Sequence, residues 1–404
     1  MTDYKSVAIV GGGASGMMAA LSASRKPGRK VLLLERQQRI GRKLLSTGNG
    51  RCNLSNRNAA PGAYYGSEDG FSAPALASFS PEDTLTFFSE LGLLTVTEAS
   101  GRVYPLSDSS NSVLDVLRFA LDRAGVELIC SCPVQEIRRR SGFELCTETG
   151  SFLSDAVILA CGGAAGSKVG GVTDGYRLAR SLGHRRTSLH PSLTRILTDS
   201  NYPRSLKGIR VQAELRLTRN DQLIAVSRGE VQFTENGVSG PAGFDLSRAV
   251  SFSGDHLMLH LGLLPMTREE ILNLLLQRCR VFPDLDASEL FTGMLHNRLG
   301  RVLVKASSIS ASEKLSSLPD SVLRTAAACC TDFCLPVRGV EGFEAAQVTA
   351  GGLDCSDFDP DTMQSRLVPG LFACGELLDV DGPCGGYNLQ WAWASGMLAG
   401  RLGS

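Results

Sequence analysis

Hydrophobic positions along this chain fall into successive textures, and each predicts its own kind of element. The first texture is the short unbroken run. Val7-Ala8-Ile9-Val10 and Val31-Leu32-Leu33-Leu34 are separated by the small, apolar stretch Met17 to Ser24. Such runs read as strands covered on both faces, joined by the helix of a parallel βαβ unit. Asp155 to Cys161 and Leu371 to Cys374 have the same character and predict later returns to that sheet. Between them lie two amphipathic helices. One spans Pro81 to Leu91, with Ser80 as N-cap and Gly92 after its end, and the other spans Val113 to Ala124, ended by Gly125. Short strand-like pieces follow at Val126 to Cys132, Val134 to Arg138, Phe143 to Thr147 and Ser151 to Leu153.

From about Ser188 the texture becomes alternation, as in Val211 to Leu217 and Leu223 to Ser227, the pattern of half-exposed antiparallel strands. From Thr267 to Leu323 it turns helical, opening on the capping box Thr267-x-x-Glu270, and Ser310-x-x-Glu313 predicts the start of a second such helix. The buried-strand signals return only near the C-terminus, before an apolar helix from Leu389 to Ala399. The predicted organisation is therefore an α/β domain in two parts (1–187 and 343–404), interrupted by a β domain (188–265 and 325–342) that carries a helical insert (266–324).

Composition narrows the partners. The chain has 404 residues, 43% of them apolar, and its 41 basic and 41 acidic residues cancel, so no net field draws it to nucleic acid or anionic lipid. No apolar run approaches the ~18 residues of a membrane span. Twelve cysteines are scattered without a Cys-x-x-Cys pair, which suits reduced thiols in the cytoplasm and predicts no metal centre.

Chemistry enters with the glycines. Gly11, Gly13 and Gly16 match G-x-G-x-x-G between a strand and a helix, with Ala14 and Ser15 inside the turn and Glu35 at the end of the second strand, 19 residues past Gly16. This pattern predicts a dinucleotide whose pyrophosphate rests on the helix N-terminal amides and whose ribose is held by Glu35, with Arg36 beside it. Gly41 to Asn53 forms a polar, cationic loop suited to an anionic ligand. Gly375-Glu376 follows the last strand, and Gly385-Gly386-Tyr387-Asn388 precedes the last helix.

Together these three glycine blocks resemble the BaiN/YhiN-type bacterial NAD(P)/FAD-dependent oxidoreductases, a group with bile-acid reductase, rRNA dihydrouridine synthase and aminoacetone oxidase assignments among its members. Thr234 to Pro241 and Val348 to Gly352 also look like family blocks. The resemblance implies a two-part Rossmann-like FAD-binding domain, a β-barrel-like inserted domain and a small helical domain within it. It implies that Gly11, Gly13 and Gly16 hold the FAD pyrophosphate and that Arg42, Lys43, Gly48, Asn49, Gly50 and Asn53 line the flavin side. Val134 would meet the adenine, Ala160 and Gly162 would pack near the dinucleotide, and Gly375 and Glu376 would lie on the ribityl chain. Gly386 and Asn388 would start the helix whose dipole faces the flavin. After Gly163, the loop Ala164 to Val172 departs from the family pattern before Thr173-Asp174-Gly175-Tyr176 restores it, which leaves the substrate subfamily open.

The expected activity is reduction of an activated C=C bond in a hydrophobic enone of the 3-oxo-Δ4/Δ6 bile-acid type. NAD(P)H is the expected donor, docking transiently because no second complete G-x-G-x-x-G follows a strand. The alternatives are an rRNA dihydrouridine synthase, under which alone nucleic acid becomes a partner, an FAD amine oxidase, and a flavoprotein without turnover. Tyr387 is the candidate proton donor. Cys52 and Cys384 read as packing residues rather than a redox pair, while Trp391 and Trp393 are expected on different faces of the helix, one bordering the substrate and one in the core.

Overall fold

The computed structural model describes residues 3–199 and 201–403. It divides into two units, Met1–His190 with Ala346–Ser404, and Pro191–Ala345. The first unit is built on a five-stranded parallel sheet in the order Leu371–Ala373, Ala156–Leu159, Ser6–Val10, Lys30–Leu34 and Glu127–Ile129. The unbroken apolar runs are its inner strands. Every residue of Ala156–Leu159 is buried, as are Val7 to Val10, because the helix Ala14–Ser24 and the strand Gly150–Ser154 both pack against this sheet.

The helix Ala14–Ser24 packs on the last helix, Tyr387–Gly400. Small residues allow the approach, since a Cβ at Gly396 would lie 2.4 Å from Ser15 O and one at Gly400 would lie 2.4 Å from Ala19 O. The helix Pro81–Glu90 has Ser80 as its N-cap, as expected, and Asp83 completes a capping box there. An antiparallel meander of Glu136–Arg139, Phe143–Thr147 and Gly150–Ser154 crosses from the edge strand back to the sheet. The chain leaves and re-enters this unit at neighbouring points: Thr187 N donates to Gly352 O at 2.9 Å, and Gly352 N donates to Thr187 Oγ1 at 3.0 Å.

The second unit contains a closed antiparallel barrel in the order Ile196–Thr198, Gly237–Ser239, Gln222–Phe233, Arg210–Arg219, Leu257–Gly262 and Phe333–Val340. Its alternation has a direct cause: Leu215, Leu217, Leu259, Leu261 and Leu335 are fully buried while their neighbours face outward. Between the last two strands lie the helices Arg268–Val281, Asn297–Ala306 and Asp320–Thr331, the first opened by the Thr267/Glu270 capping box.

The structure corrects one helix start. Ser310-x-x-Glu313 opens no helix, because the backbone there pairs with residues 285–287: Ala287 N donates to Glu313 O at 2.7 Å, and Leu315 N donates to Leu285 O at 2.9 Å. The helix Asn297–Ala306 went unread because its N-cap is His296, whose Nδ1 accepts from Arg298 N at 3.2 Å, a role usually held by Ser, Thr, Asp or Asn. Among the described residues no helix is long and apolar enough to cross a membrane, and no disulfide joins the cysteines.

Candidate functional site

Gly11, Glu35, Ala160 and Gly375 all follow within two residues of the C-terminal ends of parallel strands, where an open α/β sheet binds its ligand. Two of the glycines there are fixed by packing. A Cβ at Gly11 would lie 2.4 Å from Ala160 O, and one at Gly16 would lie 1.8 Å from Gly11 O. Gly13 is different, because a Cβ there meets nothing within 4 Å. It is the N-cap of Ala14–Ser24, a helix with no side-chain cap and no acid in its first turn. Bare amides opening onto free space are what a phosphate requires.

Glu35 is 9% exposed, its Oε2 accepting from Gly12 N at 2.8 Å and its Oε1 from Gln37 N at 2.7 Å. The carboxylate is thus locked against the glycine turn, with lone pairs left for a ribose hydroxyl. Arg36 points to Asp174, at 3.8 Å. Val134 is buried, and Cys132 N donates to Glu35 O at 2.9 Å, which ties its segment to the same corner. Gly162 continues the turn after Ala160, and Ser15 Oγ would lie 2.4 Å from a Cβ at Gly375.

The cationic segment is not an open loop throughout. Arg42–Ser46 forms a short helix, because Leu44 is buried and Ser110 Oγ holds Leu45 O at 2.9 Å. Arg42 donates to Gln37 Oε1 at 2.8 Å and to Lys168 O at 3.2 Å. Lys43 Nζ reaches Glu376 Oε2 at 2.7 Å, and Glu376 Oε1 accepts from Thr349 N at 2.9 Å, so this ion pair joins the second glycine block to the last. Gly48, Asn49 and Gly50 then turn with left-handed backbone and deliver Asn53. Its Oδ1 is buried with no protein partner and lies 2.9 Å from where a Cβ of Gly386 would stand.

Gly386, at φ 99°, is the N-cap of the last helix, which starts at Tyr387, two residues earlier than its apolar run suggested, again without a side-chain cap or first-turn acid. Asn388 spends its side chain on its own loop, accepting from Gly382 N at 2.9 Å and donating to Gly382 O at 2.7 Å, so it offers the site backbone only. Tyr387 meets Tyr64 edge to face at 6.2 Å, and its carbonyl accepts the Tyr64 hydroxyl at 2.9 Å.

Both tryptophans are core, contrary to the expectation that one borders the substrate. Trp391 Nε1 donates to Gly375 O at 3.0 Å and Trp393 Nε1 to Leu54 O at 2.8 Å; each ring bridges the last helix to a glycine-block segment on its own side. Burial pushes the Cys52 thiol up to about 12 and the Cys374 thiol up to about 12, so both stay protonated and act as packing groups. Two residues of the site escaped the sequence reading. Ser395 Oγ accepts from Gly375 N at 2.9 Å, and Thr349 Oγ1 accepts from Ala165 N at 2.9 Å. Ser395 had no signal beyond a small hydroxyl within apolar surroundings, and Thr349 none beyond its place in the Val348 to Gly352 block.

These residues fit FAD on three counts: free space at Gly13, two uncapped helix starts, and an orphaned buried acceptor at Asn53. Fold and cradle define the class, a Rossmann-type FAD oxidoreductase with a divided cofactor unit and an inserted barrel. The chain belongs to the HI0933-like Rossmann-domain family, whose model matches residues 5–402. It is 37% identical over 98% of both chains to a 3-dehydro-bile acid Δ(4,6)-reductase of Clostridium scindens. It is 28% identical to a ribosomal RNA dihydrouridine synthase of Escherichia coli, over 96% of this chain and 95% of the other. In fold it is similar to 3-ketosteroid Δ1-dehydrogenase of Sterolibacterium denitrificans, at a TM-score of 0.50 and 15% identity over 98% of each chain.

Proposed function

We propose that this protein is an FAD-dependent ene-reductase acting on a hydrophobic steroid-type enone, such as a 3-oxo-Δ4 or Δ6 bile acid, with NAD(P)H as the electron donor. The observation that carries the reading is the 37% identity to a bile-acid Δ(4,6)-reductase along essentially the whole chain. Bound FAD supplies hydride transfer between donor and substrate. The chain's own residues do the rest. The amides of Gly13, Ala14, Ser15 and Gly16 bind the pyrophosphate, and Glu35 takes a ribose hydroxyl. Lys43 and Glu376 fix the two halves of the cradle together, Asn53 uses its unpartnered oxygen on the cofactor, and the start of the Tyr387–Gly400 helix favours negative charge on the reduced flavin. Tyr387 gives the proton at the carbon next to the one that takes hydride. Cytoplasmic placement belongs to the same proposal, supported by twelve cysteines without a disulfide among the described residues.

The dihydrouridine reading has one observation in its favour, the full-length similarity to the Escherichia coli protein. Balanced charge and lower identity set it second. Anaerobic stopped-flow of the reduced protein against a panel of enone steroids and rRNA containing uridine, and of the oxidised protein against aminoacetone as electron donor, decides between them. The expected result is fast flavin reoxidation by a 3-oxo-Δ4 or Δ6 steroid alone. Reoxidation by rRNA, or by none of the panel, overturns the proposal.

A further inference from the structure

The barrel unit carries a second group of chemistry-bearing side chains, on the outward face of three adjacent strands. His260 lies in Leu257–Gly262, with Cys334 of Phe333–Val340 as its register partner on one side and Arg216 of Arg210–Arg219 on the other. Asp332 sits just before the Phe333–Val340 strand. His260 Nδ1 is 2.9 Å from Asp332 Oδ1 and 3.3 Å from Cys334 Sγ, and Cys334 Sγ is 3.7 Å from Asp332 Oδ2. We infer that His260, Asp332 and Cys334 form a site for a thiophilic divalent cation of the Zn2+ class.

Three observations favour this over an ordinary surface ion-pair cluster. Tetrahedral Zn2+ with bonds of about 2.0 Å to nitrogen and oxygen and about 2.3 Å to sulfur holds its ligand atoms roughly 3.3–3.5 Å apart. His260 Nδ1 and Cys334 Sγ, 3.3 Å apart, already stand at that spacing, and with one carboxylate oxygen of Asp332 the three donor atoms all lie within 4.8 Å of one another. Second, His260 Nε2 is 2.9 Å from Thr218 Oγ1, a hydroxyl able to accept the ring proton when a metal takes the Nδ1 lone pair. Third, two of the three ligands are paired across a ladder, so the site is held by strands rather than by flexible loops. Cys334 is exposed and Asp332 side-chain exposure is 44%, which leaves the fourth position to water.

One cation already competes there. Arg216 Nη2 is 2.7 Å from Asp332 Oδ1, while its Nε lies 3.9 Å from Glu214 Oε1, an alternative partner when Asp332 is taken. Binding replaces the Cys334 S–H bond by a sulfur–metal bond and releases the proton to solvent. Sequence spacing hid the site, because His260 stands 72 positions from Asp332 and 74 from Cys334.

The test is a titration of the metal-free, flavin-loaded protein with Co2+, read as a difference spectrum against the same protein without metal. The expected result is one equivalent with a thiolate-to-cobalt charge-transfer band, abolished by Zn2+. Cys334→Ser should lose the band and Asp332→Asn should bind more weakly, with unchanged circular dichroism because these side chains lie on the surface. Arg216→Ala should bind Co2+ about fivefold more tightly, the equivalent of removing a ~1 kcal/mol exposed ion pair that competes for Asp332. Absence of a band in the wild type, or a band that persists in Cys334→Ser, overturns the inference.

Discussion

Glycines 13 and 16 stand three residues apart and do opposite things. Gly16 is closed by the Gly11 carbonyl and Gly13 opens onto empty space, so the two separate folding from binding. Gly16→Ala is expected to destabilise the apoprotein by about 1–3 kcal/mol, because its methyl group must displace backbone. Gly13→Val is expected to leave apoprotein melting close to wild type and to abolish FAD retention, because its side chain fills the phosphate's place. Melting curves and flavin absorbance after gel filtration check both, and a yellow Gly13→Val protein would remove that loop from the site. Glu35→Ala should weaken FAD by roughly tenfold to a hundredfold, the loss of one charged hydrogen bond, without altering turnover at saturating flavin. Since Glu35 also holds Gly12 N and Gln37 N, that variant should melt lower as well; FAD titration and saturated turnover separate the two effects.

At the scale of elements, the parts written in hydrophobic period and caps were legible, and those written in long-range backbone pairing were not. The four apolar runs became adjacent parallel strands, and helices opened after Ser80, read as an N-cap, and Thr267, read as a capping box. Ser310 carries the same local signal as Thr267 and fails, because residues 285–287 pair with the backbone at Glu313 and Leu315. The glycine turns and Glu35 announced themselves by spacing, whereas Ser395 and Thr349 serve the cradle through contacts that no local pattern encodes.

A buried histidine joins two such elements. His184, after the Asp174–Ser181 helix, stacks on Phe358 at 4.9 Å, with Nε2 2.8 Å from Ser365 Oγ and Nδ1 3.3 Å from Ala179 O. Ser365 Oγ already accepts from Leu367 N and Val368 N, so its hydroxyl donates to Nε2 and the Nδ1 proton goes to Ala179, an arrangement that needs the neutral ring. Burial holds the His184 pKa below its ordinary 6.5, so the unfolded chain takes up a proton that the folded one resists. Its contribution is full above about pH 6.5 and is lost as pH falls from there toward the folded value. The expected outcome is a melting temperature that drops from pH 7 to pH 5, with a smaller drop in His184→Gln. An equal drop in both proteins would assign the pH dependence to other groups.

For the whole molecule, the cofactor unit is completed only by the end of the chain. The Leu371–Ala373 strand pairs with Ala156–Leu159 and the Tyr387–Gly400 helix packs on Ala14–Ser24, so a chain ending at Ala345 lacks one sheet edge and one face of the cradle. Such a truncation is expected to retain no flavin, whereas adding FAD at a hundred times its Kd should stabilise the full chain by about 2.7 kcal/mol. Equilibrium dialysis of the truncated protein and melting curves with added FAD give the two readings.

The paired exit and return at Thr187 and Gly352 also bear on how this architecture diversifies. Two ends joined by backbone hydrogen bonds make a socket: any folded segment with neighbouring termini can be seated between them without disturbing the sheet, and its own sequence can drift or be exchanged while the socket stays unchanged. Selection on such a chain can act on two modules at separate rates, one conserving a redox engine and the other trying new surfaces, and a library of foreign inserts grafted at that point would sample in the laboratory what recombination samples in genomes.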